Sequence, residues 1–306
     1  MGTARPEAPH AEHDFPDKQN RVLRLGDRRR LGFAEYGTPD GAPIFLFHGT
    51  PGSRLMLRVT DAPARRLGVR VIAPDRPGFG LSDRQPGRRL IDWPDDVAAL
   101  ADFLGIERFG VAGISGGGPY TLACALKLPE RLTVAGVISG MGPVVGEIGG
   151  ALDRRHRLAF VTMRRAPPLL HLVMAAASLG WQRIPERLLD ALHAYMPVAD
   201  QAIVARPDVR ASLLAGLREA FRQGGRGATD ELRLFVAPWR LGLEDIRAPV
   251  RLWHGEADDL VPCAMGRYVA GAIPGCRAEF ITGAGHYWAF DHIEELLATL
   301  APSKKP

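Results

Sequence analysis

The sequence predicts an α/β protein: a mostly parallel sheet flanked by helices, interrupted late in the chain by a helical insertion. Three observations carry this. Short, continuous apolar runs of strand length alternate with helix-period segments up to about residue 141. The alternation then stops for roughly a hundred residues that read as helix after helix, and it resumes near residue 246. With 306 residues, 46% of them hydrophobic, the chain can bury a core of that size.

In order, residues 1–18 are polar and read as a mobile tail. Arg21–Leu25 and Leu31–Tyr36 alternate apolar with polar, as half-exposed strands do, with a charged turn between them. Ile44–Phe47 is an unbroken apolar run, the mark of a strand covered on both faces. A helix over about Leu55–Leu67 and a strand at Arg70–Ala73 follow, and then the turn-rich loop Asp75–Ser82, read as a structural border of the site. Asp92–Leu104 has helical spacing with Asp92 as N-cap. Phe109–Ala112 is a buried strand, Pro119–Leu126 a helix and Leu132–Ile138 a strand. Helices are expected at Leu152–Met163, Leu169–Ser178, Pro185–Ala194, Arg210–Phe221 and Thr229–Phe235. Leu169, Leu172, Val173, Met174 and Trp181 either line a pocket there or pack the segment. Val250–His254, a helix to about Ala270, Ala278–Ile281 and a helix at Ile293–Leu300 close the chain.

Composition removes several classes of function. The net charge is +5, but only four lysines are present and arginine, interleaved with acids, supplies the rest. Runs such as Arg28–Arg30 and Arg88–Arg89 read as solvated loops, and no nucleic-acid partner is expected. The three cysteines, Cys124, Cys263 and Cys276, lack metal or redox spacing, which points to a reducing compartment, no metal and no cofactor. Cys124 reads as a packed core residue. With no signal peptide and no stretch long enough to span a bilayer, a cytoplasmic protein without a membrane partner is the expectation. Nothing fixes the oligomeric state.

The chemistry gathers at Gly113-Ile114-Ser115-Gly116-Gly117. Ser115 sits on a strand-to-helix corner, and so sharp a corner closes only if the residues two before and two after carry almost no side chain. Gly113 and Gly117 meet that demand. The corner holds a hydroxyl out at the carboxyl end of the sheet, beside the N–H of Gly116 at a helix N-terminus. His48-Gly49-Thr50-Pro51-Gly52-Ser53 follows another strand, and the N–H of Thr50 is the second expected oxyanion donor. His48 and Gly49 brace that loop. A serine hydroxyl needs an imidazole to take its proton, and the imidazole needs a carboxylate to fix its tautomer. His286 and an acid among residues 256–259 stand at two further strand ends.

The HGTPGS loop, DRPGFGLSD, GISGGG, GEADDLVP and GAGH together resemble the α/β-hydrolase superfamily, over about Arg21 to Leu300. The resemblance implies an α/β-hydrolase fold with core residues 19–141 and 246–302 and a helical cap, 142–245, after the sixth strand. It also implies Ser115 as nucleophile, Asp258 as acid and His286 as base, with Thr50 and Gly116 as oxyanion hole. His254 and His292 are set aside as bases. Epoxide hydrolases and haloalkane dehalogenases carry aspartate where this chain has Ser115. Prolyl aminopeptidases have a different motif around the serine, and hydroxynitrile lyases usually carry an active-site lysine. The expectation is a serine esterase acting on a small-molecule carboxylic ester or lactone. Alternatives are cofactor-free carbon–carbon bond hydrolysis or perhydrolysis on the same triad, or a ligand-binding relative without turnover.

Overall fold

The computed structural model describes residues 18–144 and 154–301, so the tail expected over 1–18 and the start of the segment expected over 142–245 lie largely outside them. Eight strands form one sheet: β1 Arg21–Arg24, β2 Arg30–Gly37, β3 Ala42–Phe47, β4 Val69–Pro74, β5 Phe109–Ile114, β6 Leu132–Ile138, β7 Val250–Gly255 and β8 Arg277–Ile281. Their spatial order is β1-β2-β4-β3-β5-β6-β7-β8. β1 and β2 run antiparallel, and from β4 across to β8 every pairing is parallel. All loops that follow the parallel strands therefore emerge at one edge, where open α/β sheets place their ligands.

The continuous apolar runs have a physical reason in the two cores. Phe45 and Phe47 of β3 face one cluster and Ile44 and Leu46 the other, the two-residue period of a strand with no solvent-facing side. On the first face lie α2 Trp93–Phe103, α3 Gly118–Lys127 and α10 Cys263–Ala272, contributing Val97, Leu100, Tyr120, Cys124 and Met265. On the second lie α1 Asp61–Leu67 and α11 Ile293–Leu300, contributing Ala64, Leu296, Leu297 and Leu300. Each is a helix whose apolar stripe is covered by the sheet.

Some elements differ from their sequence expectation. The helix expected over Leu55–Leu67 is a 3₁₀ segment, Arg54–Thr60, followed by α1. Pro63 lacks an N–H, so an α-helix tolerates it only in its first turn and has to restart at Asp61. Asp92 precedes α2 but makes no capping bond there; its carboxylate accepts instead from the Arg89 N–H at 2.8 Å. β2 is more buried than half-exposed, because it lies inside the sheet between β1 and β4. Arg28–Arg30 is only partly solvated, since Arg29 makes a two-pronged contact with buried Asp96 at 2.9 and 2.7 Å.

Between β6 and β7 the described residues form α4 Arg154–Arg165, α5 Pro167–Arg183, α6 Pro185–Ala194, α7 Val198–Val204, α8 Pro207–Ala220 and α9 Arg226–Val236. Trp181, Leu189, Val204 and Leu213 from these helices and Phe221 at the end of α8 share a core with Met56, Phe79 and Phe290 of the main body. Leu169, Leu172 and Val173 are exposed, whereas Trp181 is buried and Met174 packs against that core. No described helix is long and apolar enough to cross a membrane.

Candidate active site

Ser115 follows β5 with φ at 56°, a left-handed conformation that a non-glycine residue adopts only where its surroundings enforce it. What enforces it is the closeness of strand and helix. A Cβ on Gly113 would lie 2.3 Å from the Gly117 carbonyl oxygen and 2.5 Å from Thr121 Oγ1; one on Gly117 would lie 2.5 Å from the Phe47 carbonyl oxygen. Those contacts leave no room for a methyl group. Gly113→Ala is therefore expected to lower unfolding stability by about 1–3 kcal/mol, measured as a fall in the urea midpoint with unchanged slope.

Asp258 and His286 come from the loops after β7 and β8, and the structure brings them together. His286 Nδ1 lies 2.7 Å from Asp258 Oδ2, and both side chains are buried. The other oxygen, Asp258 Oδ1, accepts from the N–H groups of Leu260 and Val261 at 2.9 and 2.8 Å, which fixes the plane of the carboxylate. Burial alone would raise the Asp258 pKa, but His286, His254 and the Val261 N–H hold it well below the ordinary carboxylate range. Burial likewise works against a charged His286, yet attraction to Asp258, their hydrogen bond and the field of Asp200 hold the imidazole above its ordinary 6.5. Such an imidazole has its tautomer set on one nitrogen and offers the other as a base.

Ser115 reaches this pair through the loop after β6. The N–H of Met141 donates to the Ser115 carbonyl at 3.2 Å, and Trp288 Nε1, two residues past His286, donates to Ser139 Oγ at 3.0 Å. The Ser115 hydroxyl itself takes no hydrogen-bond partner among the described residues and is not bonded to His286. Bonds of this kind commonly close only when substrate is bound.

Thr50 and Gly116, the expected oxyanion donors, are neighbours: a Cβ on Gly116 would fall 2.1 Å from Thr50 Oγ1, and one on Gly49 would fall 3.6 Å from Ser115 Cβ. His48 is wholly buried. Its Nδ1 lies 2.8 Å from the Gly49 carbonyl oxygen, and its Nε2 accepts from the Arg76 N–H at 3.3 Å, a pattern that suits a neutral ring bracing the loop. Burial first, and then the Arg76 charge, push its pKa well below 6.5. His254 lies in β7 with Nε2 2.8 Å from the Val261 carbonyl oxygen and 3.5 Å from Asp258 Oδ2. His292 is exposed beside Glu295.

Two groups of residues at the site escape a sequence reading. Asp200 of α7, a helix the sequence reading also passes over, is buried, and its carboxylate accepts from the N–H groups of His286 and Tyr287 at 3.0 and 2.8 Å. Arg76, Arg88, Tyr120 and Glu231 of α9 form a buried polar cluster beside Thr50. Arg88 is thus no solvated loop residue: Glu231 and the Tyr120 hydroxyl, which its guanidinium reaches at 3.2 and 2.6 Å, draw it inside. Glu231 is held down to about 2; burial opposes this, and the Arg76 and Arg88 charges overcome it. An arginine among the turn residues of Asp75–Ser82 is the sole sequence signal for this cluster. Among the described residues no three His, Cys, Asp or Glu side chains are grouped to hold a metal.

Comparison with known proteins adds four likenesses. A model of the alpha/beta hydrolase family matches residues 44–299. The chain is 26% identical over 303 residues to a 2-hydroxymuconate semialdehyde hydrolase of Pseudomonas putida, covering 93% of each chain. Among solved structures, a malate-bound thermophilic esterase from Thermogutta terrifontis superposes with TM-score 0.64 at 21% identity, over 93% of this chain and 100% of that one. An enol-lactonase from Burkholderia xenovorans LB400 does so with TM-score 0.63 at 20% identity, over 91% and 97%. At these identities the two structures speak for the fold alone.

Proposed function

The chain belongs to the alpha/beta hydrolase family, and from that premise we propose that it hydrolyses small or medium carboxylic esters or lactones through an acyl-enzyme on Ser115. The observation that carries this reading is the strained Ser115 corner at the same sheet edge as the buried Asp258–His286 pair. His286 Nε2 takes the proton of the Ser115 hydroxyl as its oxygen attacks the substrate carbonyl. The N–H groups of Thr50 and Gly116 donate to the tetrahedral oxyanion, and His286 then protonates the leaving alcohol. Water, deprotonated by the same imidazole, attacks the acyl-enzyme carbonyl, and the acid leaves with Ser115 restored. Asp258 keeps the proton on Nδ1 throughout.

The helices α4 to α9 serve in this reading as the cap over the site. Its support is that α7 and α9 supply Asp200 and Glu231 to the loops that carry His286 and Thr50. The likeness to a 2-hydroxymuconate semialdehyde hydrolase over 93% of both chains favours a second reading, cofactor-free hydrolysis of a carbon–carbon bond on the same triad.

A panel of p-nitrophenyl esters, lactones and vinylogous diketones separates the two. Turnover of esters or lactones with no diketone cleavage is expected; diketone cleavage alone would reverse the order. Asp200→Asn gives a further check on the role of His286. The Asp200 charge helps to hold the imidazole pKa up, and only the neutral imidazole is a base, so its removal moves the acid limb of the pH–rate profile to lower pH. A limb that stays put or moves up contradicts the assignment.

A further inference from the structure

The loop carrying Thr50 is fastened from below by one side chain. The Arg76 guanidinium donates to the carbonyl oxygens of His48 and Gly49, the latter at 3.0 Å, and to Thr50 Oγ1 at 2.9 Å. Glu231 of α9 grips the other edge of that guanidinium, accepting from Nε at 2.7 Å and from Nη2 at 2.9 Å. Thr50 Oγ1 in turn donates to Glu231 Oε2 at 2.5 Å. Both ionic side chains are fully buried.

Two consequences follow from elementary geometry and charge. The Gly49 carbonyl and the Thr50 N–H belong to one trans peptide unit and point in opposite directions. Drawing the carbonyl toward Arg76 turns the N–H away from it, and Gly49 on that loop lies against Ser115. Arg76 and Arg88 carry two positive charges against the single negative charge of Glu231, so the buried cluster holds one net positive charge behind the loop. In a water-excluded site such a charge favours a developing oxyanion. A buried ion pair need not stabilise the fold, so folding alone gives weak reason for this arrangement.

We propose that Arg76, gripped by Glu231 from the cap, is a positioning residue that aims the Thr50 N–H at the oxyanion and supplies net positive charge behind it. The inference rests on the Ser115 acyl-enzyme reading. It makes closure of α9 over the sheet a condition for a formed oxyanion hole.

The test compares wild type, Arg76→Lys and Glu231→Gln, with p-nitrophenyl butyrate as substrate and an alkyl trifluoromethyl ketone as a mimic of the tetrahedral oxyanion. Arg76→Lys keeps the charge but loses the planar fork that spans the loop and Glu231. It is expected to lower kcat by about 10²-fold, weaken the ketone by a similar factor and leave KM within about threefold. Glu231→Gln frees one edge of the guanidinium while adding to the net positive charge, so it is expected to show the same split to a smaller extent, and it carries the test if Arg76→Lys does not fold. An active wild type whose folded variants keep their kcat and ketone affinity overturns this inference alone. So do losses in which KM and ketone affinity change equally. A wild type that neither turns over p-nitrophenyl butyrate nor labels at Ser115 with a fluorophosphonate overturns the Ser115 reading, and this inference with it.

Discussion

Ser115→Ala is expected to lower ester turnover by 10³-fold or more and to abolish labelling by a fluorophosphonate, with a melting temperature close to that of the parent. The size follows from the way a nucleophile and its base act as a unit: once the oxygen is gone, what remains is binding and the oxyanion donors. The fold should bear the change. The Ser115 hydroxyl takes no hydrogen-bond partner among the described residues, so its removal leaves no buried group unsatisfied. Alanine suffers the same backbone strain at φ 56° as serine does. Parallel kinetic and thermal measurements check both halves, and a variant that retains more than a tenth of the wild-type rate would remove Ser115 from the chemistry.

Asp258→Asn should cost about 10⁴-fold in kcat, and the surroundings of the carboxylate say why. Oδ1 is committed to the N–H groups of Leu260 and Val261, so an asparagine keeps its carbonyl oxygen there and turns its amide NH₂ toward His286. Two donors cannot face each other. The imidazole then carries its proton on Nε2, the nitrogen that in the proposed mechanism has to accept from Ser115. The pH profile should change as well. In the wild type Asp258 raises the His286 pKa, so under the proposed mechanism turnover should fall as pH drops through a value above 6.5, where this imidazole becomes protonated. Loss of that carboxylate moves the acid limb of whatever activity remains to lower pH. An asparagine variant with wild-type kcat, or an acid limb that does not move, would assign the base or its partner elsewhere.

Much of the fold is legible in the residue order because burial on both faces leaves a plain imprint. Ile44–Phe47 is a continuous apolar run and Leu132–Ile138 is one interrupted by Thr133, and both are strands of the two-sided sheet. The corner at Ser115 is legible for a different reason. Steric closeness there admits only glycine at 113 and 117, and such a demand survives in the sequence. Asp200 and Arg76 are not legible, because their roles come from partners far along the chain. Asp200 meets backbone N–H groups 86 and 87 residues later, and Arg76 meets Glu231 across 155 residues. No local period or spacing encodes such pairings. Seven-residue α7, which carries Asp200, is also too short to show a helical repeat. Arg88 misleads in the opposite sense, since a charge beside Arg89 in a glycine-containing turn has the composition of a solvated loop until Glu231 and Tyr120 are seen to enclose it.

One covalent bond decides the central claim. Rapid mixing with excess p-nitrophenyl butyrate, acid quenching within the first turnovers and peptide mapping by mass spectrometry should reveal a burst of p-nitrophenol and a butyryl group on the peptide that contains Ser115. The adduct should be absent from Ser115→Ala and should accumulate in proportion to the burst. Ester turnover with no acyl group on Ser115, or with the acyl group on another residue, would contradict the account.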